Sequence, residues 1–240
     1  MPRNQSLSMN NLTKLKRGIQ SGLPIAVGYF PIAIAFGALA AQAQLKWFEA
    51  TLMSIIVYAG ASQFVGVSML LAGAGSIQII TTTFFLNLRH LLMSLSVNDQ
   101  IRDFPQFWKN LLSFGITDES FAIFTLGGNH QGNEEKPTPL YLAGLMGTAY
   151  LGWVSGTAVG GLGAAFIPGE LTTAMTVGLY GLFIGLLVPP ARKTLGYAGV
   201  ALISMAFNFG LHYIVDTGWA IVISTVLAAG LGITFIKEPA

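Results

Sequence analysis

The chain is 240 residues long, 53% hydrophobic and only 9% charged, with a formal net charge of +2 and a mean hydropathy of +0.64. Soluble domains carry about 25% charged residues, so this composition excludes a soluble protein: it has too little polar surface to stay dissolved. The small net charge gives no footing for nucleic acid, and the absence of cysteine excludes disulfides, thiolate metal sites and cysteine nucleophiles.

The chain therefore reads as all-α, a polytopic membrane helical bundle. Its 29 glycines agree, because small residues let membrane helices approach closely. A spanning helix needs about 20 mostly apolar residues. Eight segments qualify: 22–42, 48–72, 76–96, 107–126, 140–166, 172–188, 194–213 and 218–236. Residues 1–21 and 237–240 are then cytoplasmic ends of a single transmembrane domain, 22–236.

The first span, "GLPIAVGYFPIAIAFG", carries Pro31, which lacks a backbone donor and clashes one turn back, so a kink or break is predicted there. "ALAAQA" at 38–43 has the look of a signal-peptidase site, but the apolar run before it is long enough to span and is read as retained. The second span contains "YAGASQF", Tyr58 to Phe64. Broken helices that expose backbone at mid-depth bind solutes in secondary transporters; the other reading is close packing through Gly60, Ala61 and Ser62. Gln63 needs several hydrogen-bond partners wherever it is buried.

The third span, "FFLNLRHLLMS", holds Asn87, Arg89 and His90, and the fourth, "SFGITDESFAIF", holds Asp118 and Glu119. Charge bias tests that fourth span. With eight spans and the amino terminus inside, Arg3, Lys14, Lys16, Arg17, Lys136, Arg192, Lys193 and Lys237 are cytoplasmic, against Lys46, Arg102 and Lys109 outside. Removing the span moves Lys136, Arg192, Lys193 and Lys237 outward and erases the bias. In the sixth span, "LLVPPARK" is predicted to stop the helix at its double proline, with Arg192 and Lys193 as anchors. Trp47, Trp108 and Trp219 fall near outer span ends as interface anchors, and Asn208 and His212 share a face of the seventh span.

At 1.5 Å per residue, Arg89 lies ~10 Å below the outer surface, Asp118 ~16 Å and Gln63 ~22 Å, so their depths overlap. Ionisable groups at such depth are costly unless paired or facing water, which makes them functional candidates. Arg89 is either a carboxylate clamp or the ion partner of Asp118 or Glu119; the remaining acid holds an ammonium group or carries a proton. A structural Arg–acid pair explains the same residues. His90 is either a proton carrier or a donor to a nearby carbonyl. The three histidines are far apart, so no metal site is expected, and no cofactor motif is present: there is no P-loop, GxGxxG or GxSxG, and no enzyme is indicated.

"YFPIAIAFG", "YAGASQF", "NLRHLLMS" and "TDESFA", in that order, resemble the large subunit of the AzlC-type branched-chain amino acid exporters, which include YgaZ-like permeases. The resemblance is strong over 22–126 and mainly one of hydrophobic layout beyond. It implies a permease in the bacterial cytoplasmic membrane, with both termini cytoplasmic. It would export valine, leucine and isoleucine, with methionine as a further substrate, by proton-coupled antiport, in a heteromeric complex with a small hydrophobic AzlD-type subunit. Two departures bear on substrate: Met93 and Ser94 stand where the family has Tyr-Gly, and "GASQ" where Gly-Ala-Ala-Gln is common. A zwitterion would then meet Arg89, Asp118 or Glu119, backbone near Gly60, and Phe36, Phe64 and Phe85 as apolar walls. A membrane scaffold and a channel for small polar solutes are the competing functions.

Overall fold

In the computed structural model the described residues are 10–127 and 137–235, and they form helices with no strand among them. In chain order these are α1 (Asn11–Gln42), α2 (Trp47–Ile56), α3 (Gly60–Leu71), α4 (Ser76–Gln100), α5 (Gln106–Phe114), α6 (Asp118–Gly127), α7 (Pro139–Gly163), a 3-10 turn (Ala164–Phe166), α8 (Gly169–Lys193), α9 (Leu195–Leu211) and α10 (Thr217–Phe235). Each expected span has its counterpart, and two are split. The second is α2 plus α3; the fourth is α5 plus α6. Among the described residues α1 alone passes a simple test of length and apolarity for crossing a membrane. α4 is long enough but carries Asn87, Arg89, His90 and three consecutive threonines.

One helix is longer than its expected span, and prolines expected to break two helices do not. α1 starts at Asn11, so the basic segment before residue 22 is helical. α1 also runs unbroken through Pro24 and Pro31. One missing hydrogen bond does not break it because α7 packs along it on both sides of Pro31. Likewise α8 continues past Pro189 and Pro190 to Lys193, and the double proline does not stop it.

The core is the seam between α1 and α7. A Cβ added to Gly18 would lie 2.0 Å from the Tyr141 carbonyl oxygen; at Gly22 it would meet the Leu145 oxygen at 2.4 Å. From the other side, Gly156 faces the Phe30 oxygen at 2.6 Å and Gly160 the Ile34 oxygen at 2.1 Å. Backbone therefore rests on backbone, which only glycine allows. Contacts advance together along both helices, so α1 and α7 run parallel. Around this pair, α2 and α3 pack on α7 and α1, α10 lies against α4, and α9 packs between α8 and α10. Many large apolar side chains face outward, among them Ile77, Phe84, Leu195 and Ile233, as lipid contact requires.

Each split has a local cause. The last bond of α2 is Val57 N–H to the Met53 oxygen, and α3 starts bonding with Gln63 N–H to the Ala59 oxygen. Between them Tyr58 adopts φ +42°, a left-handed conformation unusual for a bulky residue. The α5–α6 break is a capped helix start: the Thr117 hydroxyl accepts from the Ser120 N–H at 3.3 Å, and the Ser120 hydroxyl accepts from the Thr117 N–H at 2.8 Å. That is a reciprocal capping arrangement, with serine where glutamate is usual.

Candidate functional site

The two breaks meet. A cavity of ≈ 30 Å³ lies between them, lined by Tyr29 and Ile32 from α1, Tyr58 to Ala61 from the first break, and Arg89 and His90 from α4. Thr117, Asp118 and Glu119 from the second break and Trp153 from α7 complete it. The space holds about two waters. An amino acid is larger, so the site as it stands is too tight to hold one.

The starts of α3 and α6 both border the cavity. First-turn N–H groups have no acceptor within their own helix and carry the positive end of its dipole. Gly60 is required at the first of these starts: a Cβ there would lie 2.7 Å from the Trp153 ring. Glycine thus lets the α3 backbone approach the indole and reach the cavity.

Asp118 and Glu119 begin α6, where acids complement the dipole, and being adjacent they diverge. Asp118 Oδ2 pairs with an Arg89 guanidinium nitrogen at 2.5 Å, with the two side chains 24% and 32% exposed. Glu119 turns the other way and accepts a hydrogen bond from the Tyr29 hydroxyl. The deep arginine is therefore the ion partner of one acid, while the other rests on a neutral phenol.

His90 Nδ1 lies 3.0 Å from the Ile116 oxygen. A carbonyl only accepts, so Nδ1 donates, while Nε2 is buried without a hydrogen-bond partner. The Tyr58 hydroxyl is buried in the same condition. Tyr58 packs edge-on to Tyr150 with ring centroids 5.0 Å apart. The cavity thus combines a matched ion pair, a carboxyl on a phenol, one unbonded imidazole nitrogen, one unused hydroxyl and two helix starts. Such a lining can hold a zwitterion. Among the described residues no cluster of His, Asp or Glu is suited to a metal ion.

Of the residues singled out in the sequence, Tyr58, Gly60, Arg89, His90, Asp118 and Glu119 line the cavity, and four do not. Pro31 is exposed on the outer face of α1. The Ser62 hydroxyl bonds the Ala59 oxygen at 2.9 Å, within its own helix turn. Asn87 is half-buried on α4, outside the lining, with its Oδ1 buried and unbonded. Gln63 is fully buried behind the cavity, where its Nε2 donates to Ser54 at 3.0 Å and its Oε1 accepts from the Trp153 indole at 3.0 Å. Ser54 in turn bonds Thr157 at 2.9 Å. This network pins α2, α3 and α7 together across the first break.

Tyr29, Thr117 and Trp153 were not anticipated. Thr117 was legible as the cap of "TDES"; Tyr29 and Trp153 carried no sequence signal, because aromatic residues in apolar helices read as core or anchor. Of the expected apolar walls, Phe36 and Phe64 back the Trp153 ring, at 6.2 and 6.5 Å between centroids, whereas Phe85 faces outward.

Residues 24–167, which contain every cavity residue, match the family model described as AzlC protein. A membrane protein of Archaeoglobus fulgidus is 30% identical over 227 residues, 93% of this chain and 96% of its own. The inner membrane protein YgaZ of Escherichia coli is 33% identical over 180 residues, covering 73% of each chain. The branched-chain amino acid transport protein AzlC of Bacillus subtilis is 27% identical over 212 residues, 85% of this chain and 82% of that one. No solved structure matches. With the family model spanning more than half of its length, and with relatives that are membrane proteins along nearly all of it, this chain belongs to the AzlC protein family.

Proposed function

We propose that this protein is a secondary carrier that exports branched-chain amino acids, namely valine, leucine and isoleucine, with methionine as a further substrate. The observation that carries the reading is the cavity between two helix breaks, lined by charged and aromatic groups. The start of α3, which carries no acid, suits a carboxylate, and Glu119 at the start of α6 suits an ammonium group. The Trp153 ring, Ile32 and the Ala59 and Ala61 methyls supply an apolar wall for a branched side chain. The similarity to a branched-chain amino acid transport protein points to the same class of ligand.

The cavity is too small for such a ligand as it stands, so α3 and α6 must separate from α1 and α4 to load it. Such opening and closing belongs to a carrier; a channel would instead need a continuous passage through the same helices. The inward proton gradient supplies the driving force, and a small hydrophobic AzlD-type subunit completes the complex.

The chain crosses the bacterial cytoplasmic membrane eight times with both ends cytoplasmic. The parallel run of α1 and α7 supports this topology, since it requires an odd number of crossings between them. α2–α3, α4 and α5–α6 supply three.

The test is counterflow of labelled valine into leucine-loaded proteoliposomes, with this chain alone and with the AzlD-type subunit co-reconstituted. Exchange that needs the partner is the expected result. Absence of exchange in both preparations, beside an active control carrier, overturns the branched-chain assignment. Variants of Arg89 and Asp118 that lower protein level while leaving activity per molecule intact would favour the scaffold reading.

A further inference from the structure

We propose that Glu119 carries the coupling proton, that this proton and the ligand's amino group compete for its carboxyl, and that Asp118 serves to hold Arg89. The inference rests on the carrier reading above and assigns its coupling site.

The two acids are neighbours on the first turn of α6, yet their surroundings separate their roles. The charge of Asp118 is matched by Arg89 at 2.5 Å. Glu119 makes no ion pair among the described residues, and its carboxyl rests on the Tyr29 hydroxyl. The ionisable groups around it are Tyr29 from α1, Tyr58 from the first break, Arg89 and His90 from α4, and Asp118 on its own helix. α7 presents the Trp153 ring, which carries no charge. Because Arg89 and Asp118 cancel, protonation of Glu119 changes the net charge of the cavity by one.

Tyr29 suits both states of the carboxyl. Its O–H donates to a carboxylate, and its oxygen accepts from a carboxylic acid once the hydroxyl rotates. The exchange then balances as follows. A proton from outer water converts the Glu119 carboxylate to the acid. On the inner side that proton leaves to water, and the ligand's ammonium pairs with the carboxylate in its place. Outside, the ligand departs as a new proton binds. One proton enters for each amino acid that leaves, with no other reactant.

The test compares wild type, Glu119→Gln and Asp118→Asn in proteoliposomes containing the AzlD-type subunit. Valine counterflow is measured across pH, and valine movement is measured under an imposed proton gradient. In wild type the KM for valine should rise as pH falls, since protons compete with ammonium for the same carboxyl. In Glu119→Gln the KM should be raised and no longer vary with pH, and gradient-driven movement should drop more than about tenfold relative to residual counterflow. Asp118→Asn should lose activity while keeping the pH dependence of what remains. Gradient-driven movement that survives in Glu119→Gln overturns the proposal, as does a pH dependence that disappears in Asp118→Asn instead.

Should Glu119→Gln fail to fold, Tyr29→Phe takes its place. Removing the phenol from the carboxyl must displace the pH dependence of KM, and an unchanged profile overturns the assignment. Wild-type exchange that ignores the proton gradient sinks the coupling site and leaves the carrier standing. Lack of wild-type exchange sinks both.

Discussion

At the scale of single residues, the cavity is held by pairings that respond unequally to removal. Losing one partner of a buried ion pair strands the other and costs about 3–5 kcal/mol, whereas replacing both by apolar groups is often near neutral. Arg89 and Asp118 keep some exposure, so Asp118→Asn should cost less, about 2 kcal/mol. The thermal midpoint in detergent should fall accordingly, and the double substitution Arg89→Met with Asp118→Leu should recover most of it while abolishing transport. A double variant no more stable than Asp118→Asn would show that the pair itself contributes to stability. Gln63→Leu leaves the Trp153 indole N–H without a partner in a fully buried place and takes one of the two bonds of the Ser54 hydroxyl, which keeps Thr157, and should lower stability by about 1–3 kcal/mol. These residues were legible to different degrees. Arg89, Asp118 and Glu119 stood out because charge in an apolar run has few explanations. The amide demand of Gln63 was just as visible, but sequence cannot tell whether a ligand or a neighbouring helix meets it. Here Ser54 and Trp153 do, from α2 and α7.

At the scale of elements, the α1–α7 seam makes a sharp prediction of sign. Gly160→Ala would press a methyl within 2.1 Å of the Ile34 oxygen, backbone that cannot move aside, whereas Gly147 on the same helix has nothing within 4 Å. Alanine is the better helix former by about 1 kcal/mol. Gly147→Ala should therefore leave the thermal midpoint level or raise it, while Gly160→Ala lowers it by several degrees. Equal effects from the two would mean that the helices are not packed through these glycines. The elements also show where punctuation misleads. Pro31, Pro189 and Pro190 leave their helices continuous, yet Tyr58 and Thr117, neither of them a breaker by type, sit at the splits. A proline removes one bond, and flanking packing keeps the helix continuous; a capped start such as "TDES" offers a competing end to the helix. The α2–α3 split was one of two readings of "YAGASQF", beside close helix packing, and the α5–α6 split was read as a doubtful span because its acids drew attention away from its cap.

At the scale of the whole molecule, the topology can be tested without background, because the chain contains no cysteine. Single cysteines at Lys46 and Asp103 should react with a membrane-impermeant maleimide in intact cells, and one at Lys193 only after permeabilisation. Labelling of all three from outside would overturn the eight-crossing arrangement. The all-α class and the order of most helices were readable from composition and apolar runs alone. The parallel pairing of first and seventh helices was not, since it joins residues more than a hundred positions apart through glycines that look alike in sequence. That seam also limits how the protein can move. Each glycine forms a notch, and a carbonyl of the opposing helix sits in it, so a small slide along the axis drives oxygen into Cα. The next register that fits lies one full turn away, about 5.4 Å. The seam therefore behaves as a ratchet at rest, forbidding piston strokes. Any cycle that opens the cavity must swing the other helices about this fixed spine.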